Sequence, residues 1–375
     1  MSFKKLRLSI LYLSLIAILI VSGCSNDKTS SETTESISAS ASGNVYQWGD
    51  NKFEEQVRNA VKGETIKIGF LPPAASEHYD AFEHAANTMM NELSDRFGVK
   101  FEFEMAAPGN FQSVESQVST IENWTSLGFD AILVCSAGDF DSMNAVYEKA
   151  IEHDTMIYLF NMPAELWDES KLKAVSVISY NNDYQSGFQV GQYAAEKLGG
   201  KGDILLVWGL PGHWSASRKH GFQKAISEYP DMKIVGEQRG DYRRDKGMQA
   251  TENLLLAHPK VDLIYGENEE MAMGAVQAVE GLGLKLWNGK EGIMVIGADG
   301  LKSGFESIRQ GKLTATVDVG TVDMGRELIK SVFMHQYLGY SIPKVQNVPT
   351  VIVDKDNVDI REAYMDWALG TELKE

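Results

Sequence analysis

The amino-acid sequence predicts an α/β protein made of two doubly wound parallel sheets. Short apolar strands alternate regularly with amphipathic helices between residues 65 and 298. The strands are nearly continuous apolar runs, which is typical of parallel sheets that helices cover on both faces. The chain of 375 residues is also long enough for two domains of ordinary size.

The predicted elements follow one another in a regular order. A short amphipathic helix over 44–63 precedes the sheets. Predicted strands cover 65–71, 99–105, 131–135, 156–160, 174–179, 203–208, 232–238, 263–266 and 293–296. Predicted helices between them cover 78–97, 112–127, 143–153, 184–198, 215–228, 246–257 and 271–281. Residues 65–179 and 184–298 therefore each contain enough strand–helix units for one sheet.

The first 24 residues predict the cellular compartment. A short basic segment (1–7) precedes an almost wholly apolar run (8–21), which suits the core of an export signal better than a membrane-spanning helix. The run ends in Val-Ser-Gly-Cys at 21–24, which resembles the lipobox of bacterial lipoproteins. This resemblance implies a signal peptide over 1–23 and a diacylglycerol group on Cys24. An ordinary export signal, or a signal anchor with an incidental cysteine, is the alternative.

The segment after the cysteine has the composition of a tether. Residues 25–43 are rich in serine, threonine and small residues and have no hydrophobic periodicity. Together with the short helix they form a linking segment over 24–64. We therefore expect a protein that is anchored by lipid to the bacterial cell membrane and does not span it. We expect a monomer, because the sequence has no heptad repeat or second apolar segment to drive assembly. It would lie on the outer face, or in the periplasm if the cell has an outer membrane.

Charge and motif content exclude several classes of protein. The chain has 35 Lys and Arg residues against 52 Asp and Glu, a net charge of −17, and phosphate backbones would repel so acidic a protein. Its seven histidines lack metal-ligand spacing, and no protease, hydrolase or phosphate-loop motif is present. The sequence thus predicts no enzyme activity, no metal or cofactor, and no nucleic-acid partner.

The segments that follow the predicted strands contain the candidate ligand contacts. Ligands of open α/β sheets bind outside the carboxyl ends of the strands. These segments are rich in aromatic residues and in Asn, Asp, Ser and Arg; they are 72–79, 136–139, 161–162, 180–183, 209–214, 240–242, 267–269 and 298–300. A neutral polyhydroxylated ligand needs this mixture, because its apolar faces stack on rings and its hydroxyls need fixed hydrogen-bond partners.

Several blocks in the second half of the body carry a family resemblance. They are Gly240-Asp241-Tyr242 with Lys246-Gly247, Asn268-Glu269-Glu270-Met271-Ala272, Gly297-Ala298-Asp299-Gly300, and Gly209-Leu210-Pro211-Gly212 followed by Arg218. These blocks resemble the ribose-binding subgroup of the type I periplasmic binding proteins, the sugar-binding proteins of ABC importers. The resemblance covers roughly residues 65–355, nearly all of the mature body.

The resemblance implies two lobes joined by a three-strand hinge. The chain would cross between the lobes near 180–183, 318–320 and 348–350. The N-terminal lobe would then comprise 65–180 plus 321–347, and the C-terminal lobe 181–320 plus 348–375.

The resemblance also implies most of the ligand contacts. The stacking aromatics of the first loop fall on His78 and Tyr79, and Ser76 falls at a polar contact. Four further residues match positions that donate to, stack on or accept from sugar hydroxyls: Arg218, Tyr242, Asn268 and Asp299. Trp214 lies in a predicted ligand loop and offers a second stacking face.

This chain departs from the family pattern at three places. Asn161-Met162 stands where the family usually has Asp-Arg, and Cys135 stands where Asn is common. The Gln expected at the last crossing appears as Val319, beside Asp318. Asn161 and Asp318 complete the predicted site, but the lost polar partners leave the identity of the sugar open.

Each predicted contact also has a structural interpretation. Asp299 would form a strand-to-turn junction, Asn268 a helix cap and Arg218 a surface ion pair. Tyr79 and Tyr242 would be packed rings. His78 would be a solvated loop residue, Cys135 an inert buried thiol, and the acidic run 267–270 solvated except for Asn268.

Three functions share the predicted fold. The resemblance favours a binding protein that delivers a sugar or polyol to the membrane permease of an ABC importer. A binding protein that presents its ligand to a membrane histidine kinase or chemoreceptor is the alternative, because both classes signal through lobe closure. A sugar-responsive repressor would need a helix-turn-helix segment where this chain has the lipobox and tether.

Overall fold

The computed structural model describes the main body of the chain. The described residues are 51–109, 113–138, 140–162, 171–180 and 183–371. The predicted signal peptide, Cys24, the tether and the first part of the helix predicted over 44–63 lie outside these ranges. Within them, no helix combines the length and apolar composition needed to cross a bilayer.

Two six-stranded sheets form the framework. The strands are β1 (Thr65–Leu71), β2 (Lys100–Met105), β3 (Ala131–Val134), β4 (Met156–Phe160), β5 (Ser176–Tyr180), β6 (Lys201–Trp208), β7 (Asp231–Arg239), β8 (Leu263–Gly266), β9 (Met294–Asp299), β10 (Ala315–Asp318), β11 (Val345–Val348) and β12 (Val351–Asp354). The first sheet has the order β11-β5-β4-β3-β1-β2, and the second has the order β12-β10-β9-β8-β6-β7. We call the first sheet with the helices packed on it the N-terminal lobe, and the second sheet with its helices the C-terminal lobe.

One helix precedes the first strand, one follows the last, and the others lie between strands in the sequence. They are α1 (Asn51–Val61), α2 (Glu77–Phe97), α3 (Val114–Ser126), α4 (Phe140–Glu152), α5 (Asp183–Leu198), α6 (His213–Ile226), α7 (Arg244–Ala257), α8 (Glu269–Gly281), α9 (Lys302–Arg309), α10 (Thr321–Val332) and α11 (Val358–Ala368). A short π-helical turn, Phe333–Tyr337, extends α10. Helix α2 shows the local reasons for its bounds, because Ser76 Oγ accepts from the Tyr79 N–H and Gly98 ends the helix at φ 74°.

The strand pairing agrees with the predicted fold class, with one difference. Every pairing in the first sheet is parallel, and the central strands β3, β4 and β5 are almost wholly buried, as their apolar sequences predict. In the second sheet the edge strand β12 runs antiparallel to β10. This strand follows β11 of the first sheet after only two residues.

The described elements change sheet at three points. The chain passes from β5 of the first sheet to α5, which packs on α6 of the C-terminal lobe. It returns between β10 and α10, since α10 packs closely on α2. It changes sheet a third time between β11 and β12. Three chain segments therefore connect the lobes.

Glycines set the close packing of α5 on α6. A Cβ atom at Gly187 would collide with the backbone oxygen of Arg218, and one at Gly221 would collide with the backbone oxygen of Tyr184. These two glycines allow the helix backbones to touch. The contact fixes the position of α6, the helix that carries Arg218.

Several elements after residue 298 were not predicted individually. Strand β10 has only four residues, and β11 has the partly polar sequence Val-Gln-Asn-Val. Helices α9, α10 and α11 follow without the strong strand–helix alternation of the preceding body. Strand β9 also continues to Asp299, three residues beyond the predicted end, so that Asp299 is its last residue.

Candidate functional site

A cavity of about 680 Å³ lies between the lobes, at the carboxyl ends of strands from both sheets. Nine of the ten predicted ligand residues line it: Ser76, His78, Tyr79, Asn161, Trp214, Arg218, Tyr242, Asn268 and Asp299. Eight of them come from segments that follow β1, β4, β6, β7 and β8, and Asp299 is the last residue of β9. Parallel strands bring such segments to one edge of each sheet, which is why residues distant in sequence meet here.

The wall from the N-terminal lobe is aromatic and mostly uncharged. The Tyr79 hydroxyl lies 3.4 Å from Cys135 Sγ and accepts a 3.3 Å hydrogen bond from Asn161 Nδ2. His78 Nδ1 lies 3.2 Å from Thr321 Oγ1. Burial, with the nearby positive charge of Arg218, lowers the pKa of His78 to about 3, so its ring is neutral at physiological pH. His78 is therefore a half-buried, neutral part of this wall.

Asn161 is held in a conformation that most residues avoid. Its φ is 52°, in the left-handed region that asparagine tolerates better than most side chains. Its Nδ2 group donates to Tyr79, whereas its buried Oδ1 atom receives no hydrogen bond from any described group. Asn161 thus presents an acceptor at the wall of the cavity.

Arg218 joins the two lobes through its guanidinium group. Its Nη1 donates to the backbone oxygen of Glu267 at 2.5 Å, and its Nη2 donates to the Tyr180 hydroxyl at 2.8 Å. The side chain is buried beside the cavity. The surface ion pair considered for this residue is therefore not what the structure contains.

Asn268 and Tyr242 are positioned by each other. Asn268 Oδ1 accepts from the Met271 N–H at 3.0 Å and caps α8, while its Nδ2 donates to the Tyr242 backbone oxygen at 3.4 Å. The Tyr242 ring covers Gly209, where a Cβ atom would collide with the ring. Asn268 thus forms the helix cap that the sequence suggested and also lines the cavity.

The carboxyl groups of Asp299 and Glu269 lie buried near one another. Burial raises the pKa of Asp299 to about 7, although the charge of Arg218 acts in the opposite direction. Burial and the charge of Asp299 also raise the pKa of Glu269. Glu269 accepts hydrogen bonds from Gly300 N at 2.9 Å and Thr316 Oγ1 at 2.6 Å. Asp299 is thus a buried carboxyl group that lines the cavity, in addition to its place at a strand-to-turn junction.

The prediction that the acidic run 267–270 is solvated was wrong for two of its residues. Glu267 and Glu269 are both fully buried. The Glu267 carboxylate accepts from Gly209 N at 2.9 Å and from the Ser215 hydroxyl. A Cβ atom at Gly304 would collide with the Glu269 carboxylate, so this glycine leaves room for the buried acid. These partners come from other elements, and for this reason the local sequence did not reveal the burial.

Asp318 does not line the cavity. Its carboxylate pairs with Arg361 of α11 and accepts from the Gly320 N–H at 2.7 Å. Burial raises its pKa, while the guanidinium of Arg361 opposes this shift. Asp318 therefore holds the segment between β10 and α10 in place through these two contacts.

Several cavity-lining residues were missed by the sequence analysis. They include Glu77, Arg243, Arg244, Asp245, Met248, Glu270 and Gln277. Arg244 and Met248 are four residues apart on α7, and Glu270 and Gln277 are seven apart on α8, so each pair shares a helix face. For these four residues, this spacing was the sequence signal that could have revealed a shared surface. Among the described residues, no group of three or more His, Cys, Asp or Glu side chains could hold a metal ion.

The two-lobed fold and its interlobe cavity define a solute-binding protein. The chain belongs to the periplasmic binding protein domain family, whose sequence profile matches residues 68–337. This membership confirms the predicted family and fold class. It also confirms the prediction that the protein is an extracytoplasmic binding protein and not an enzyme.

The chain is similar to proteins named for sugars and polyols. It is 26% identical over 250 residues to the xylitol-binding protein of Mycolicibacterium smegmatis, covering 66% of this chain and 67% of the relative. It is 33% identical over 159 residues to the ribose import binding protein of Escherichia coli, covering 42% of this chain and 51% of the relative. The chain therefore spans about half the length of this second relative.

A solved structure matches more of the chain. It is an ABC transporter periplasmic solute binding protein from Actinobacillus succinogenes with bound D-allose. The TM-score is 0.68 at 27% sequence identity, with 79% of this chain and 99% of the other chain covered.

Proposed function

We propose that this protein is a lipid-anchored binding protein that captures a sugar or sugar-like polyol between its lobes and delivers it to an ABC importer. The observation that carries the proposal is the convergence of Asn161 and Tyr79 from one lobe with Arg218, Asn268 and Asp299 from the other. A ligand that contacts both lobes stabilises the closed form, which a permease can recognise.

The chemistry of the cavity favours a neutral, hydroxyl-rich ligand. Arg218 supplies hydrogen-bond donors, and the buried carboxyl group of Asp299 accepts hydrogen bonds when ionised and can also donate one when protonated. The Oδ1 atom of Asn161 needs a donor, and a ligand hydroxyl can supply one. The rings of Trp214 and Tyr242 offer apolar faces to the carbon skeleton of a sugar.

The relatives support the same class of ligand. The names of the similar proteins refer to xylitol, ribose and D-allose, which are an acyclic polyol, a pentose and a hexose. All three are neutral and carry vicinal hydroxyl groups.

Calorimetric titration of the purified full-length chain tests the proposal. The panel contains pentoses, hexoses, polyols and amino acids. We expect a sugar or polyol to bind, and Asp299→Ala to weaken that binding by at least about 2 kcal/mol, or roughly thirtyfold in Kd. The exposed Asp231 provides the matched control, since Asp231→Ala should leave Kd unchanged. Binding of amino acids alone, or normal ligand affinity in Asp299→Ala, would contradict the proposal.

A further inference from the structure

The cavity continues beyond the predicted sugar contacts, along a groove between two helices. We define this α7–α8 groove by Arg244 and Met248 on α7 and by Glu270 and Gln277 on α8, all of which line the cavity. Gln277 follows Asn268 by nine residues, which is about 13 Å along a helix axis at a rise of ~1.5 Å per residue. A pyranose with its hydroxyls spans roughly 6 Å, given bonds of ~1.5 Å. The backbone positions of Asn268 and Gln277 are therefore separated by about twice the width of one ring.

The volume of the cavity leads to the same conclusion. The cavity measures about 680 Å³. A hexose would fill about 360 Å³ even if each of its roughly twelve heavy atoms had the ~30 Å³ of a water molecule. A single sugar ring therefore occupies at most about half of the space.

The extra space does not come from lobes that are far apart. Trp214 Nε1 of the C-terminal lobe donates to the backbone oxygen of Asn161 in the N-terminal lobe at 2.9 Å. The Ser303 hydroxyl of the C-terminal lobe donates to Glu77 of the N-terminal lobe at 2.8 Å. Because the lobes already touch at both places, the groove belongs to a cavity between lobes in contact.

The charges along the groove are paired within the protein. Arg244 forms a two-pronged pair with Glu270 at 3.1 and 2.8 Å, and Arg243 forms another with Asp245 at 3.0 and 2.9 Å. Both guanidinium groups therefore already have carboxylate partners. This arrangement favours an uncharged substituent over a phosphate or carboxylate group on the ligand.

Two side chains in the groove offer contacts to such a substituent. Met248 is half-buried and provides an apolar surface. Gln277 is exposed, and within the described ranges its side-chain amide has no hydrogen-bond partner. An apolar face beside an amide suits the mixed surface of a second sugar ring.

We infer that the ligand is a neutral glycoside with two rings, in the simplest case a disaccharide. One ring lies between the lobes against Arg218, Asn268 and Asp299, and the second ring lies on Met248 and Gln277 in the α7–α8 groove. This inference rests on the proposed function, because it assumes that the interlobe site takes a sugar.

Titration with matched pairs of sugars tests the inference. Each monosaccharide that the full-length chain binds is compared with disaccharides that contain it. We expect the best disaccharide to bind about tenfold more tightly than its monosaccharide. Gln277→Ala and Met248→Ala should each weaken disaccharide binding about fivefold and leave monosaccharide binding unchanged.

The controls separate this inference from the function on which it rests. Gln249 lies on α7 and does not line the cavity, so Gln249→Ala should bind both sugars normally. If monosaccharides bind more tightly than every disaccharide, or if Gln277→Ala and Met248→Ala leave disaccharide affinity unchanged, the inference is wrong while the sugar function stands. If no sugar of either size binds, the proposed function is wrong as well.

Discussion

Buried carboxyl groups dominate the electrostatics of the C-terminal lobe beside the cavity. Asp299 and Glu269 influence each other's ionisation, and each is kept from water by the surrounding elements. Arg218 is near enough to favour the ionised form of Asp299 but does not overcome the effect of burial. The site therefore holds a proton near neutral pH that an exposed aspartate would lose.

The raised pKa of Asp299 predicts a pH-dependent stability. Because the pKa rises from 3.8 to about 7 on folding, the folded protein retains a proton that the unfolded chain releases. The free energy of unfolding should therefore fall between about pH 4 and pH 7, with a slope of up to about 1.4 kcal/mol per pH unit for this proton. Asp299→Asn should remove this contribution.

Urea unfolding followed by circular dichroism between pH 4 and 8 measures the effect. As the pH rises, the natural protein should lose stability relative to Asp299→Asn. The difference between their free energies of unfolding should stop changing above about pH 7. Asp231→Asn, at an exposed position, is the control and should follow the natural protein. A constant difference across this range would contradict the assignment.

Individual residues show where local sequence was sufficient and where it was not. The strand-end positions of Asn268 and Asp299 follow from the pattern, because parallel strands bring their carboxyl ends together. The burial of Glu267 depends on donors from Gly209 and Ser215, which lie in another segment. The orientation of Asp318 depends on Arg361, 43 residues later in the chain. Such partners are set by tertiary structure.

At the scale of elements, most of the strands and helices that could be predicted lie where short apolar strands alternate with amphipathic helices, between residues 65 and 298. Strands with continuous apolar sequences, such as Ala-Ile-Leu-Val in β3 and Met-Ile-Tyr-Leu-Phe in β4, could be predicted from composition alone. Strand β11 could not, because it lies at a sheet edge and is only partly buried. Its polar residues are compatible with a loop until β5 supplies a partner.

The contact between α5 and α6 predicts a large effect from a small substitution. Gly187→Ala should lower the free energy of unfolding by about 1–3 kcal/mol, because a methyl group would collide with the Arg218 backbone and force the helices apart. Helix propensity alone would favour alanine over glycine. Urea unfolding measures this change, and ligand affinity should fall with it because α6 carries Arg218.

A second helical glycine provides the control for this substitution. A Cβ atom added at Gly281 in α8 would have no neighbouring atom within 4 Å, so Gly281→Ala should be neutral or slightly stabilising. If both variants had the same stability as the natural protein, the close packing of α5 on α6 would not be important for folding.

At the scale of the whole molecule, helix α11 braces the connection between the lobes. Arg361 pairs with Asp318 of β10 and also donates to Asp323 of α10 at 3.2 Å. Tyr364, one turn further along α11, donates to Asp323 as well. A helix near the end of the described chain therefore holds both sides of one crossing segment.

The proposed lipid anchor predicts where the entire protein is located. Cys24→Ser should move the protein from the membrane fraction to the soluble fraction, or leave an unprocessed precursor, because serine has no thiol to receive a diacylglycerol group. Fractionation followed by immunoblotting measures this. Cys135→Ser is the matched control, since this cysteine is buried in the body and should not affect location. Normal processing and membrane association of Cys24→Ser would contradict the lipoprotein assignment.

The pairing of β11 with β5 has a consequence for how the chain reaches its destination. Val345 pairs with Val177, so the N-terminal lobe gains its last strand only after the segment that builds most of the C-terminal lobe has been synthesised. Contacts between residues so distant in sequence raise the contact order, and high contact order slows folding. A chain that folds slowly remains unfolded for longer after leaving the ribosome. This delay would favour the export that the first residues predict, because a chain passes through a secretion channel in the unfolded state.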